Sequence, residues 1–508
     1  MSKLELDGSS LRLKDLLHLE DCKPSLSASA VQSMNAAVTS LRKIVDEGQV
    51  VYGVNTGFGA FANRRIDRDA VETLQYNLVR SHACGVGQPL PSAVVRRAML
   101  LKANSLAAAL SGARPLLAET LLAMVDHDIT PLIPSRGSVA ASGDLAPLAH
   151  MALALIGEGE ARQGDRELSG SDVLEAAGVK PVVLQAKEGL AMINGTQIST
   201  ALAVEGLIRA ERLLNAAIVI GALSVEALAG SFTPFDQRIH KASNLQGQQK
   251  VAEQFRNLLT GSDINNSHVD CDRVQDPYSL RCMPQVLGAV WDALDHVADV
   301  LARQINGVTD NPLIFGNDVL SGGNFHAEPL GFVCDYMTIA VAELASIAER
   351  RIDLMDRKIN PNLSMFLTSE PGLESGYMVA HVTATALVSE NKTLAHPASV
   401  DSLPTSAGQE DHVSMAAWAG IKLNRVCDNV GYVLAIELIA AAHAIDAQRP
   451  LKTTPQLEPL HAWVRQRVAY DPKDHRHDKE IASISSAIKK GALEHFLPRR
   501  KLTDVVEK

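Results

Sequence analysis

The chain has 508 residues, with 48 Lys and Arg against 58 Asp and Glu, so its net charge is −10. This acidic balance argues against nucleic acid as a partner, because such binding needs a basic surface. The composition, 46% hydrophobic and 21% charged, is that of a folded globular protein. Aromatic residues make up only 4%, so the core must be built from Ala, Leu, Val and Ile. Such a core favours helix-on-helix packing, and we predict an all-α fold.

The N-terminal part of the chain carries acidic residues and no long apolar run, so no secretory signal is visible. The most apolar stretch, residues 213–223, is interrupted by Asn215 and is shorter than the roughly 18 residues of a membrane span. The six cysteines are scattered without a C-x-x-C pair, which is typical of reduced thiols. We therefore expect a cytoplasmic protein with no membrane partner.

Long Ala- and Leu-rich segments at helical spacing dominate the middle and the C-terminal half. They predict helices over about 200–228, 284–305, 331–352, 376–393 and 414–445. The first of these is apolar nearly all round, which is typical of a helix inside a bundle or an oligomer interface. Strand-like stretches are few and short, such as residues 49–52. We predict three regions: a mixed N-terminal one over 1–195, a central long-helix bundle over 196–450 and a helical C-terminal one over 451–508.

The most unusual stretch runs from residue 135 to residue 150. As local structure it predicts a helix start, with Ser142 or Asp144 as N-cap, Pro147 in the first turn and an end at Gly157. Three small residues, Ala141-Ser142-Gly143, precede that helix. Because Gly143 has no Cβ, its backbone can bend in ways that other residues resist.

This stretch resembles the ammonia-lyase/aminomutase family, whose members make their own electrophile, 4-methylideneimidazol-5-one, from an Ala-Ser-Gly triplet. The resemblance implies that the Gly143 nitrogen closes onto the Ala141 carbonyl and that Ser142 loses its hydroxyl as water, leaving an exocyclic methylene. It implies no external cofactor and no catalytic metal. A position at a helix N-terminus would place positive dipole beside this group.

The resemblance covers nearly the whole chain, through motifs at residues 52–59, 81–83, 193–196, 275–281, 310–313, 322–329 and 409–415. Besides the triplet, it implies catalytic roles for Tyr52, Asn194 and Tyr278, and substrate contacts by His82, Gln275, Arg281, Phe325 and Glu410. Tyr52 would take the β-proton in electropositive surroundings, and Arg281 would hold the carboxylate of an amino acid substrate through its planar guanidinium. The family also implies a homotetramer in which each active site draws on three subunits.

Family members act on histidine, phenylalanine or tyrosine, and three features favour histidine. His82 follows Ser81, whereas tyrosine-selective relatives have an aromatic-His-Leu pattern at this point. Glu410 stands in Gln-Glu-Asp-His, where phenyl-specific relatives have Asn-Gln-Asp, and a carboxylate suits an imidazole but would lie unpaired beside a phenyl ring. The segments 325–329 and 275–281 also match the histidine branch more closely. The expected reaction converts L-histidine into trans-urocanate and ammonia without oxidation.

Other interpretations stay open. The chain could be a tyrosine or phenylalanine ammonia-lyase, an aminomutase, or a catalytically inactive helical scaffold. A zinc hydrolase is a weak rival, because His326 and Glu328 form an H-x-E pair but its Pro-Cys-x-x-Cys partner is absent. The segment His475-Arg476-His477 could hold a metal, although a solvated charged loop is the better interpretation.

Three positions depart from the family pattern. Ala140 stands where glycine usually precedes the triplet, Gly408 where asparagine is usual, and Met283 where glutamine is usual. None of them removes a chemical group that the reaction needs. Gly408 lies two residues before Glu410, so we expect it to bear on how the pocket selects its substrate.

Overall fold

The computed structural model of the chain describes residues 2–17, 19, 22–268 and 273–497. Helices contain 59% of the residues and strands 8%, so the predicted all-α fold is confirmed. The strands are short and pair locally: β1 (Ser2–Leu6) with β2 (Cys22–Leu26), β3 (Val86–Pro89) with β5 (Pro134–Arg136), β4 (Ile129–Pro131) with β6 (Glu160–Gln163), β6 with β7 (Arg166–Ser169), and β8 (Leu313–Phe315) with β9 (Asp318–Leu320). The first pair is parallel and the others are antiparallel.

The mixed N-terminal part combines β1–β7 with short and medium helices. These are α1 (Leu13–Leu17), α2 (Ala28–Asp46), α3 (Val71–His82), α4 (Ser92–Ala107), α5 (Pro115–Asp126), α6 (Leu145–Leu155), α7 (Gly170–Ala176) and α8 (Glu188–Ile193). The strand expected at residues 49–52 is wrong. There the backbone turns, because Gly53 has φ +67° and the Asn55 side chain accepts the Val51 N–H at 2.8 Å.

The long helices lie in the middle and C-terminal parts. They are accompanied by shorter ones, in the order α9 (Gln197–Ala227), α10 (Gln237–Ser243), α11 (Gln246–Leu259), α12 (Asp263–Asn266), α13 (Tyr278–Arg281), α14 (Met283–Gln304), α15 (Glu328–Asp356), α16 (Met378–Leu394), α17 (Ala416–Asp446), α18 (Glu458–Arg465) and α19 (Asp478–Lys489). All five predicted long helices are confirmed, as α9 and α14–α17. The region boundaries at 195 and 450 stay a prediction.

Helices α9, α15 and α17 pack together as the centre of the bundle. Arg351 on α15 and Glu437 on α17 form an ion pair with both side chains 0% exposed and a shortest N–O distance of 2.5 Å. Ser224 on α9 donates to the same carboxylate at 2.6 Å. Because a buried charge without its partner is costly, this contact fixes the three helices in one register.

Two helices, α15 and α17, are long and apolar enough to cross a membrane by length and composition alone. The relevant windows are 61% and 89% buried inside the protein. Both helices pack against each other and against α9, so their apolar composition is explained by their position in the core.

Candidate active site

The triplet Ala141-Ser142-Gly143 lies in the loop that leads into α6. Gly143 has φ +72°, and a Cβ on it would lie 2.2 Å from the carbonyl oxygen of Gly195. The next residue, Asp144, donates its backbone N–H to that same oxygen at 2.7 Å. The position therefore excludes every side chain, and the strand-like contact with Gly195 holds the loop against the start of α9.

The helix predicted after the triplet is confirmed as α6, with Asp144 at the cap position. Its side chain does not cap the helix. Its carboxylate accepts the backbone N–H of Ser199 at 2.8 Å and the hydroxyls of Ser199 and Ser138 at 2.7 and 3.1 Å. Burial raises the pKa of Asp144 and these hydrogen bonds oppose the rise. The carboxylate thus ties the triplet loop to α9, a role that the local sequence did not indicate.

Ala140 is held in the left-handed region, with φ +54°, where an L-residue with a Cβ costs about 1 kcal/mol. Two contacts from the start of α17 keep this conformation. The hydroxyl of Ser414 donates to the Ala140 carbonyl at 2.9 Å, and the N–H of Met415 donates to the Val139 carbonyl at 2.9 Å. Ala140 is fully buried and keeps this costly conformation. The two contacts therefore allow an alanine to stand where glycine is usual.

A cavity of about 730 Å³ opens beside the triplet. Five of the predicted site residues line it: Tyr52, His82, Ser142, Asn194 and Glu410. An adjoining cavity of about 480 Å³ shares four of these and adds Ala141, Phe325, His326 and His412. The structure therefore brings together residues from five separate parts of the chain around the triplet.

The carboxylate of Glu410 lies against the triplet. Ser142 Oγ donates to Glu410 Oε1 at 2.6 Å, and Thr405 Oγ1 donates to Glu410 Oε2 at 2.6 Å. Thr405 also pairs with Glu410 through its backbone across a tight turn. Thr405 was not identified from the sequence, although its spacing of five residues from Glu410 within one polar loop could have suggested it.

His82 is the last residue of α3 and lines the same cavity. Its Nδ1 lies 2.8 Å from the carbonyl oxygen of Leu78, so this nitrogen carries a proton and Nε2 keeps its lone pair. Burial lowers the pKa of His82, and the charge of Glu410 opposes this shift. The cavity thus holds a neutral imidazole and a carboxylate near each other.

Tyr52 lies in the turn that follows α2. Its phenolic oxygen accepts the backbone N–H of Gly59 at 3.0 Å, which brings partial positive charge to that oxygen. The ring meets Phe58 edge to face, with ring centres 6.3 Å apart. These contacts fix the Tyr52 hydroxyl in the wall of the cavity, which Ser142 also lines.

Asn194 connects α8 to the Asn-Gly-Thr turn before α9 and is 5% exposed. Its side-chain oxygen is buried without a hydrogen-bond partner. Its backbone carbonyl accepts from the ammonium of Lys102 at 2.7 Å, and Lys102 also donates to Ala191 at 3.0 Å. Burial lowers the pKa of Lys102 to about 7. Lys102 was missed by the sequence analysis, although a lone lysine inside the apolar segment 98–110 was the available signal.

The residues around the triplet fit a 4-methylideneimidazol-5-one group. The loop permits the backbone closure, because Gly143 is already in a left-handed conformation with no room for a side chain. A buried polar atom of Asn194 has no partner beside it. Such an atom is costly unless a further group satisfies it.

Three predicted residues lie elsewhere in the chain. Gln275, Tyr278 and Arg281 line neither of these two cavities, and they belong to α13 and the segment just before it. Tyr278 is 71% exposed, and the guanidinium of Arg281 stacks on its ring at 4.8 Å. Arg281 Nε is buried without a hydrogen-bond partner. Within one chain, Gln275, Tyr278 and Arg281 therefore do not join the residues that line the cavity beside the triplet.

The departures at Met283 and Gly408 have different settings. Met283 is the first residue of α14 and is fully buried, so it acts in packing. Gly408 has φ +84°, and a Cβ there would meet no atom within 4 Å. Gly408 thus leaves open space beside the turn that carries Glu410.

Comparison with known proteins places this site in a family. Residues 11–466 match the model of the aromatic amino acid lyases. A histidine ammonia-lyase of Burkholderia ambifaria is 50% identical over 481 residues, which cover 94% of this chain and 95% of the relative.

Two solved structures share the whole architecture. A histidine ammonia-lyase from Trypanosoma cruzi superimposes with a TM-score of 0.90 at 38% identity, covering 99% of this chain and 96% of that one. A tyrosine aminomutase from Streptomyces globisporus gives 0.92 at 33% identity, covering 97% and 98%. The family model, the sequence identity, the shared fold and the Ala141-Ser142-Gly143 triplet all indicate the same family. The chain belongs to the aromatic amino acid lyase family.

Proposed function

We propose that this protein is a histidine ammonia-lyase, which converts L-histidine into trans-urocanate and ammonia. The observation that carries the proposal is the carboxylate of Glu410, 2.6 Å from Ser142 and in one cavity with the neutral imidazole of His82. An imidazole substrate offers an N–H donor to the Glu410 carboxylate, and its imidazolium form offers a second N–H to Nε2 of His82. A phenyl ring offers none, and would leave a desolvated carboxylate without a partner.

The fold alone does not select the substrate, because an aminomutase superimposes as well as a histidine ammonia-lyase does. The identity of 50% to a relative of that name, against 33% to the aminomutase, supports histidine. The sequence identity therefore favours the same substrate as the carboxylate of Glu410 and the imidazole of His82 in the cavity.

The prosthetic group of the proposal is 4-methylideneimidazol-5-one, formed from Ala141, Ser142 and Gly143 with no external cofactor. When formed, it supplies an electrophilic methylene to the substrate amine. Gly143 permits the closure, and Asn194 would donate or accept at the group through its unpartnered side chain. Lys102 would keep Asn194 in place through the backbone carbonyl.

The other residues bind the substrate and move its proton. Tyr52 Oη, held by the Gly59 N–H, would take the proton from the β-carbon. Glu410 and His82 would bind the imidazole, and Phe325 would form the wall opposite. Orienting the substrate in this way lowers the barrier by fixing the β-proton near its base.

We further propose that Arg281, Tyr278 and Gln275 complete the site from a neighbouring subunit of a homotetramer, with Arg281 binding the substrate carboxylate. Arg281 and Tyr278 do not line the cavity in their own chain, and Tyr278 is exposed. Helix α15 also exposes an apolar stripe at helical spacing: Phe332 (58%), Tyr336 (47%) and Ile339 (46%). Such a stripe is typical of an interface between subunits.

We place the protein in the cytoplasm, in keeping with the absence of a disulfide among Cys84, Cys282, Cys334 and Cys427.

The test is turnover of L-histidine, L-tyrosine and L-phenylalanine by the wild-type protein and by Ser142→Ala. The ultraviolet absorbance of the conjugated acrylate product and an ammonia assay are followed together. We expect urocanate from histidine, lost in Ser142→Ala. Turnover of tyrosine or phenylalanine instead would refute histidine as the substrate. No turnover of any of the three would refute the proposal that the protein is an ammonia-lyase.

A further inference from the structure

A second cluster of chemically active side chains lies far along the chain from the triplet, in the segment that leads into α19 and in the first turn of that helix. It consists of His475, His477 and Glu480. His475 Nε2 lies 3.2 Å from Glu480 Oε2, and His477 Nδ1 lies 3.4 Å from the same oxygen. The three ligand atoms all lie within 4.8 Å of one another. We propose that this cluster binds one divalent transition-metal ion of the zinc class.

The protonation of His475 favours a ligand role. Its Nδ1 lies 2.8 Å from the backbone carbonyl of Lys473, so Nδ1 carries the proton and donates it. Nε2 then turns its lone pair towards a carboxylate oxygen of Glu480. At 3.2 Å the two atoms need a proton or a metal ion between them, and the ion of the proposal would take that place. A histidine that binds a metal characteristically donates its other ring N–H to a carbonyl or carboxylate, as His475 does.

The spacing also fits the ion. Tetrahedral zinc with bonds of about 2.0–2.1 Å separates neighbouring ligand atoms by about 3.3 Å. The two observed nitrogen–oxygen distances, 3.2 and 3.4 Å, lie on either side of this value. Two histidines and one glutamate are a zinc ligand set that leaves the fourth position for water. The side chains are 24%, 18% and 19% exposed, so the ion has a path from solvent.

The surrounding contacts hold the cluster in shape. Asp474 accepts the N–H groups of Ser375 and Gly376 at 2.9 and 2.8 Å. The ring of Tyr377 lies over that of His477, with centres 4.7 Å apart. Glu480 sits in the first turn of α19, which packs on α9 and α17. A metal here would fasten α19 to the segment before it, so we expect it to act on stability.

Another group of three, His326, Glu328 and His412, has the right residue types but different bonding. His326 Nδ1 accepts the N–H of Glu328 at 3.3 Å, so the proton sits on Nε2. That Nε2 faces His412 Nδ1 at 3.4 Å, and the two rings hydrogen-bond to each other. His326 therefore offers a metal no free ring lone pair, because Nδ1 accepts a backbone N–H and Nε2 carries the proton. This difference makes the C-terminal cluster the preferred site.

The experiment uses the full chain without an affinity tag, stripped with a chelator and then dialysed against zinc. We expect one zinc per chain by elemental analysis. Cobalt loaded in its place should give the visible absorbance of a tetrahedral site. His477→Ala and Glu480→Gln should lose both, while His495→Ala, which changes an exposed histidine in the same region, should keep both. Circular dichroism of each variant shows whether it is folded.

Zinc should also raise the melting temperature of the wild type and of His495→Ala, and leave that of folded His477→Ala unchanged. Wild-type protein that retains no zinc would overturn the proposal. So would zinc that remains in His477→Ala and Glu480→Gln but is lost in His326→Ala, because the ion would then belong to the cavity.

Discussion

Ser142 Oγ and Glu410 Oε1 lie 2.6 Å apart although 268 positions separate them in the sequence. The second oxygen of Glu410 is held by Thr405, so the carboxylate has one orientation, directed at the triplet. A substrate ring that binds this carboxylate must therefore lie beside the triplet. This contact joins the selection of the substrate to the place where the chemistry occurs.

Replacing Glu410 by glutamine should lower kcat/KM for L-histidine about tenfold to a hundredfold, the usual value of a hydrogen bond to a charged group. Steady-state kinetics with histidine and phenylalanine measure it. Phenylalanine turnover should not fall, because a phenyl ring gains nothing from the charge. Glu167→Gln, which removes an exposed carboxylate paired with Arg162, is the control. An equal loss for both substrates would contradict the role of Glu410 in recognising imidazole.

His82 and Glu410 should act together. The charge of Glu410 already affects the pKa of His82, so the two groups interact within one cavity. We expect His82→Leu and Glu410→Gln to be non-additive in kcat/KM for histidine, with a coupling of about 1 kcal/mol. A double-mutant cycle measures this coupling. Strict additivity would mean that the two side chains do not contact the same ring.

Gly143→Ala should abolish activity, because the new Cβ would lie 2.2 Å from a backbone oxygen in addition to the strain of a positive φ. Gly164→Ala is the matched control. Gly164 also has a positive φ, +58°, but a Cβ there meets nothing within 4 Å. It should cost about 1 kcal/mol of stability and keep activity. The assay is histidine turnover beside a melting curve, and an active Gly143→Ala would refute the need for glycine.

The sequence predicted the long helices well because their apolar residues recur at helical spacing over many turns. It also predicted the residues that meet at the cavity, through motifs recognised by resemblance. It missed Lys102 and the partner of Asp144, because a buried charge is explained only by the carbonyls or hydroxyls that surround it in three dimensions. The strand expected at 49–52 failed for a local reason, since Gly53 and Asn55 favour a turn there.

The grouping of His475 and His477 with Glu480 shows the same limit. The two histidines are visible in the sequence, but the third ligand is supplied only when α19 begins at Asp478 and turns Glu480 back onto them. The charged residues that flank the two histidines in the sequence favoured a solvated loop, whereas the fold brings three metal-ligand atoms within 4.8 Å of one another.

Lys102 should make stability depend on pH. Its pKa is about 7 when folded and near the ordinary 10.5 when unfolded, so between these values the unfolded chain binds the extra proton. The free energy of unfolding should therefore rise with pH from 7 towards 10, by on the order of 1 kcal/mol per pH unit from this group. Lys102→Met should lack this rise. Midpoints of denaturant unfolding at pH 7, 8 and 9 measure the difference, with exposed Lys490→Met as control. Parallel curves for wild type and Lys102→Met would contradict it.

Co-assembly of two inactive variants tests whether neighbouring subunits complete the site. Ser142→Ala removes the triplet hydroxyl, and Arg281→Ala removes the proposed carboxylate ligand. If the two residues act from different subunits, random mixed tetramers should contain about a quarter of sites with both groups intact. Co-expressed variants should then recover about a quarter of wild-type kcat.

The control pair is Ser142→Ala with Tyr52→Phe, because Tyr52 and Ser142 line one cavity of the same chain. Every site in that mixture lacks one of the two groups, so its activity should stay at the level of the single variants. Recovery by the first pair and not the second means that Arg281 acts across a subunit boundary, in agreement with its absence from the cavity lining of its own chain. If neither mixture recovers activity, one chain supplies Ser142 and Arg281 together. The proposal that neighbouring subunits complete the site would then be wrong.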